Sequence, residues 1–133
     1  MGKELSLLQV RGEEIVDAFG RPVRLRGVCL GGWLNMENFI NGYPGVESSF
    51  RKAVQEALGE DKARLFFTKM LDNFVAEVDL RYIASLGATV VRVAINYRHL
   101  EDDINPFNYK EEGFHYLDKL VNWCRSNGLY LIL

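Results

Sequence analysis

The residues Thr89-Val-Val-Arg-Val-Ala-Ile95 are β-branched and apolar almost without interruption. That composition reads as a strand covered on both faces, the state of a strand inside a parallel sheet. Parallel strands cannot be joined by a tight turn; each pair needs a crossover of a dozen or more residues, usually a helix. Two further apolar runs, Val23 to Leu30 and Leu129 to Leu133, flank the first at such distances. The chain is therefore expected to be α/β, with these three strands parallel and adjacent in sequence order and right-handed crossovers between them.

The connecting segments carry the matching signals. Phe50, Val54, Ala57 and Leu58 mark one helical face, and Gly59 is placed to end that helix. A second helical piece covers Leu65 to Leu71, and Leu80, Ile83 and Leu86 define a third that Gly87 stops. Phe114, Leu117, Leu120, Val121 and Cys124 form an amphipathic stretch closed by Asn127-Gly128. Ahead of the first long strand, Leu7 to Val16 reads as a hairpin around Arg11-Gly12-Glu13-Glu14, followed by a turn at Phe19-Gly20-Arg21-Pro22. Residues 33–48 and 96–109 are long polar loops, a length that in compact domains accompanies function. Residues 1–133 read as one domain without repeats or linkers.

Several classes of partner are disfavoured by composition. The formal charge of −2 lacks the basic excess that phosphate-backbone binding requires, so no nucleic acid is expected. No apolar run reaches the ~20 residues of a membrane helix, so no membrane is expected either. The opening Met-Gly-Lys-Glu-Leu-Ser lacks an apolar signal core, which leaves the compartment open. Cys29 and Cys124 match no metal spacing and read as two buried free thiols. There is no phosphate-binding loop, dinucleotide glycine pattern or nucleophile elbow.

Four residues stand out as chemistry. Arg92 interrupts the apolar strand, and a buried guanidinium needs a carboxylate or several acceptors. Solvent exposure or a structural ion pair is one reading; positioning a catalytic carboxylate and holding it ionised is the other. Glu37 sits between Asn35 and Asn38 in the first loop, where it is either a solvated glutamate or an acceptor for ligand hydroxyls. Trp33 follows Gly31-Gly32 and is either a packing residue or a ligand contact. Tyr97 follows the second long strand and is the best candidate there for touching a ligand; His99 and His115 read as structural or solvated.

The segment Phe19-Gly20-Arg21-Pro22-Val23-Arg24-Leu25-Arg26-Gly27-Val28-Cys29-Leu30-Gly31-Gly32-Trp33-Leu34 resembles the opening of glycoside hydrolase family 5, nearest its exo-β-1,3-glucanase-like branch. Leu86 to Ile95 resembles that family's second strand, and Gly128 to Leu133 its third. The resemblance implies the N-terminal part of a (β/α)8 barrel, about three βα units preceded by a hairpin. It implies retaining hydrolysis of β-glucans or oligosaccharides, with no cofactor and no metal. Arg92 would contact the catalytic nucleophile, and Glu37 would bind a sugar hydroxyl at the cleavage point. Cys29 departs from the usual Asn and Ala94 from the common Pro.

The family's two catalytic glutamates follow its fourth and seventh strands, positions that would come after Leu133. The chain alone is thus expected to be inactive, and its open strand edges to favour self-association or a complementing barrel fragment. A non-catalytic carbohydrate-binding or assembly module built on a half-barrel is the alternative. A flavodoxin-like domain ranks last, because Gly31-Gly32-Trp33-Leu34 lacks the Ser/Thr character of a phosphate cradle. Linkage specificity and endo or exo action stay open.

Overall fold

A computed structural model of the chain describes residues 5–133. Met1 to Glu4, the start of the segment that lacks a signal core, lie outside the described residues. Strands β1 (Gln9–Arg11) and β2 (Glu14–Val16) pair antiparallel as the expected hairpin, with Gly12 at positive φ in its turn. Strands β3 (Gly27–Leu30), β4 (Val90–Val93) and β5 (Tyr130–Ile132) form a parallel sheet in that order. Between β3 and β4 run α1 (Asn38–Asn41), α2 (Glu47–Leu58), α3 (Glu60–Phe74) and α4 (Glu77–Ser85). Between β4 and β5 lie a 3-10 turn at Tyr97–His99 and α5 (Glu111–Ser126). Among the described residues no helix is long and apolar enough to cross a membrane.

All three strands are shorter than their apolar runs. The first starts at Gly27, not Val23: Val16 bridges Pro22 and Val23 N donates to Ile15 O, which ties that end to the hairpin, and the Thr89 hydroxyl bonds Arg24 O and Arg26 N in between. Gly27 itself is required by close approach. A Cβ there would lie 1.6 Å from Val90 O, so any side chain would force β3 and β4 apart.

The helices cover one face of the sheet. Val91 and Val93 point into that layer and are essentially inaccessible, packed with Leu71, Val75, Leu80, Leu120 and Leu129. Side chains alternate along a strand, so Cys29, Arg92 and Ile132, which are in register across the sheet, share the opposite face. All three are exposed. Among the described residues the helical layer covers one face of Thr89–Ile95; on the other face Val90 is buried and Arg92 is exposed. The expectation of two buried thiols is corrected. Cys124 sits in the core, where burial pushes its thiol up to about 11, whereas Cys29 is on the open face.

Candidate functional site

The loops after β3 and β4 meet at the carboxyl end of the sheet. Gly32 turns the chain at positive φ (74°), and residues 36–42 fold back over the strand end. Asn41 fixes this segment from both sides: its Oδ1 accepts from Glu37 N at 2.8 Å and its Nδ2 donates to Gly32 O at 3.0 Å. Gly42, left-handed, closes the one-turn helix α1. The Glu37 carboxylate then lies over Gly31, where a Cβ would come within 2.3 Å of its Oε2. A side chain at position 31 would make the ends of the Glu37 and Ile40 side chains shift.

Trp33 does not join this rim. Its ring is completely buried in the core, edge-on to Tyr116, and its Nε1 donates to Leu71 O at 2.9 Å. The packing alternative describes it; a side chain with no accessible surface cannot stack on a ligand.

The segment after β4 is held equally firmly. Asn96 N donates to Leu34 O at 2.9 Å, and Asn96 Oδ1 accepts from Arg98 N at 3.2 Å, which caps the short 3-10 turn. Lys110 braces it from below, donating from its backbone to Leu100 O and from Nζ to Arg98 O, and pairing with Asp102. Tyr97 projects from the turn, 58% exposed, and donates from its hydroxyl to Asp103 Oδ1 at 2.7 Å. That hydrogen bond to a carboxylate, followed by the carboxylate's charge, raises the phenol above its ordinary value.

Arg92 is exposed on the open face of β4, and its Nη1 donates to Cys29 Sγ at 3.3 Å. It belongs to none of the ion pairs formed among the described residues. Its guanidinium is thus available to a carboxylate. Glu37 lies over Gly31, just past the end of β3, and Arg92 is in register with Cys29 inside the sheet; no ion pair among the described residues joins them.

Two adjoining clefts lie between the loops. One of about 490 Å³ is lined by Met36, Glu37, Asn38, Phe39, Val46, Glu47 and Asn96. The second, of about 380 Å³, shares Val46, Glu47 and Asn96 and continues along Ser48, Tyr97, Arg98 and Asp103. Glu47, absent from the sequence candidates, stands between them, its side chain only 7% exposed. It accepts from Arg51 Nε at 2.8 Å and Asn96 Nδ2 at 3.1 Å, and pairs with Arg98 Nη1 at 3.5 Å. Its sequence neighbourhood carries no signal for this role, because two of the three partners lie some fifty residues away.

His99 backs onto the same cluster. Its Nε2 is buried without a hydrogen-bond partner among the described residues. Burial lowers its affinity for a proton; Arg51, Arg98 and Lys110 act in the same sense, and Glu47 opposes them. The folded state therefore holds His99 neutral at pH values where the unfolded chain, near its ordinary 6.5, already binds a proton. Its contribution to stability is complete above about pH 6.5 and is lost as pH falls from there toward the lowered folded value. Unfolding midpoints measured at about pH 7.5 and 5.5 should fall on acidification, and His99→Gln should shrink that fall. An equal fall in both proteins would assign the acid sensitivity elsewhere.

No family model matches the chain. It is 46% identical over 129 residues to a beta-xylosidase of Phanerodontia chrysosporium, covering 97% of this chain and 27% of that protein. It is 33% identical over 119 residues to a probable glucan endo-1,6-beta-glucosidase B of Aspergillus flavus, covering 83% of this chain and 30% of the relative. Over 85 residues it is 32% identical to endoglucanase C of Acetivibrio thermocellus, 64% of this chain and 25% of that enzyme. These relatives are glycoside hydrolases, and the chain spans less than a third of their length. A solved endogalactoceramidase shares the fold with a TM-score of 0.63 at 23% identity, over 97% of this chain and 22% of that one.

Proposed function

We propose that the chain forms the N-terminal portion of a single (β/α)8 barrel domain of a retaining glycosidase of the family 5 type, acting on β-glucans or related β-linked oligosaccharides. The observation that carries this reading is the cleft at the carboxyl ends of parallel strands, where glycosidase barrels keep their chemistry, with Glu37 folded over Gly31 at one end and Tyr97 exposed at the other. Carboxylate and amide groups there suit sugar hydroxyls, and the exposed ring of Tyr97 suits the apolar face of a pyranose. In this reading Glu37 and Tyr97 bind substrate, and Arg92 positions the nucleophile of the complete enzyme. The reaction needs neither metal nor organic cofactor. The name of the beta-xylosidase relative makes β-xylosides a substrate class to test beside β-glucosides.

Retaining hydrolysis requires two carboxyl groups ~5–5.5 Å apart, one as nucleophile and one as acid and then base. Glu37 cannot serve as both at once, and the other cleft carboxylates are engaged, Glu47 by Arg51, Asn96 and Arg98 and Asp103 by the Tyr97 hydroxyl. The 133-residue chain should therefore bind sugars without cleaving them. Incubated with laminarin, carboxymethyl-cellulose, aryl β-glucosides and aryl β-xylosides, it should release no reducing sugar above a buffer blank. Turnover that disappears in Glu37→Gln would put the chemistry in this chain and refute the division of labour proposed here.

A further inference from the structure

We propose that Glu47 is a positioning residue that locks the two rim segments together, making the adjoining clefts one groove for a ligand longer than a single sugar. The lock follows from the geometry of this chain alone; the choice of a β-linked oligosaccharide as occupant rests on the function proposed above.

Glu47 opens α2, at the end of the loop that carries Glu37. Its carboxylate is more than nine-tenths buried, a state that a charge tolerates only when it is paired and hydrogen-bonded. One oxygen, Oε1, takes Arg51 Nε from its own helix and faces Arg98 Nη1. The other, Oε2, takes Asn96 Nδ2. Arg51 therefore fixes the carboxylate on the first segment, while Asn96 and Arg98 tie it to the segment that presents Tyr97. Few other polar links cross this gap: the backbone bond from Asn96 N to Leu34 O is set below the rim, at the sheet. Both clefts have Glu47 and Asn96 as their common wall. Moving this wall changes the offset between Glu37 and Tyr97, which matters only to a ligand that touches both.

Replacing Glu47 by Gln keeps the shape and one acceptor but leaves two guanidinium groups without their counter-charge. Arg98→Gln removes the cross-segment ion pair and leaves Glu47 bonded to Arg51 and Asn96, so it reports on the charged half of the lock even if the first variant folds poorly. Residue-resolved amide exchange on the sugar-free 133-residue chain is the first readout. Both variants should accelerate the hydrogen-bonded amides of Asn41 and Phe50 on one segment and of Leu100 and Glu101 on the other by about tenfold or more. Amides of β4 and α5 should change less than about twofold. Unchanged exchange at the rim would overturn the lock. So would uniform acceleration, since Glu47 would then be a general stabiliser and no positioning residue.

The second readout is binding of laminaritriose, cellotriose and methyl β-glucoside. Glu47→Gln should weaken the trisaccharides about tenfold while changing the monosaccharide less than about twofold. Equal weakening of all three would overturn the single groove. Selective exchange in a chain that binds no saccharide would uphold the lock and overturn the oligosaccharide as its occupant, which separates this inference from the function proposed above.

Discussion

Trp33→Ala should cost this fold about 3–5 kcal/mol, the range for emptying a buried aromatic site. Two losses combine. The ring is wholly inaccessible and packs with Leu34, Leu71, Val75 and Leu80, so its removal leaves a cavity under the sheet. The indole also satisfies the carbonyl of Leu71, which lies in the last turn of α3 where carbonyls have no partner within the helix. Alanine leaves that buried oxygen unpaired. Native domains are stable by only ~5–15 kcal/mol in total, so the variant should be largely unfolded or melt far below the parent in a denaturant titration. Trp33→Phe separates the two terms: it retains most of the bulk but leaves the same oxygen unpaired, which should cost about 1–3 kcal/mol, with a smaller cavity than alanine. A Trp33→Ala protein that unfolds like the parent yet no longer binds sugar would return Trp33 to the ligand site.

The contrast between Trp33 and Tyr97 shows what sequence pattern can resolve here. Both are aromatic residues just beyond a parallel strand, and both were candidates for touching a ligand. Which side of the sheet end each ring occupies depends on the turn between strand and ring. Gly32 at positive φ sends Trp33 under the rim into the helical layer, while Asn96 caps a turn that leaves Tyr97 outside. Nothing in Gly-Gly-Trp specifies that direction. Strand identity and order were legible because parallel strands need apolar runs and long crossovers, and those survive in composition. Strand ends were not, because Val23 is engaged by the hairpin while Arg24 and Arg26 are engaged by Thr89 at the head of β4, choices made by residues elsewhere in the chain. The thiols show the same limit. Average burial treats Cys29 and Cys124 alike, but Cys124 falls on the buried side of α5 and Cys29 on the open face of β3. Glu47 was illegible for a further reason: a glutamate in the first turn of a helix reads as a dipole partner, and its distinction here is made by Asn96 and Arg98.

Arg92→Lys should leave the fold almost untouched while removing most of the activity of an enzyme that contains this segment together with its catalytic carboxylates. The first half follows from exposure. Arg92 lies outside the buried core, and its one side-chain partner, Cys29 Sγ, is a weak acceptor. A surface change of this kind is worth about ±0.5 kcal/mol or less, so unfolding midpoints of the 133-residue chain should coincide. The second half follows from the role proposed for the guanidinium. Its fixed fork can hold a carboxylate by two parallel hydrogen bonds and keep it ionised; an ammonium supplies charge without that geometry. A nucleophile left misaligned or partly protonated should lower kcat by about 10²–10³, the order found when a preorganised donor is removed from an active site. KM should change less, because Glu37 and Tyr97 still hold the sugar. Methionine in place of Arg92 removes the charge as well and should shift the acidic limb of the kcat profile upward, since the nucleophile's pKa rises when its neighbouring cation is gone. If Arg92→Lys turned over substrate at the parent rate, or if it unfolded the 133-residue chain, Arg92 would be a structural residue of the open sheet face and the nucleophile would take its orientation from another group.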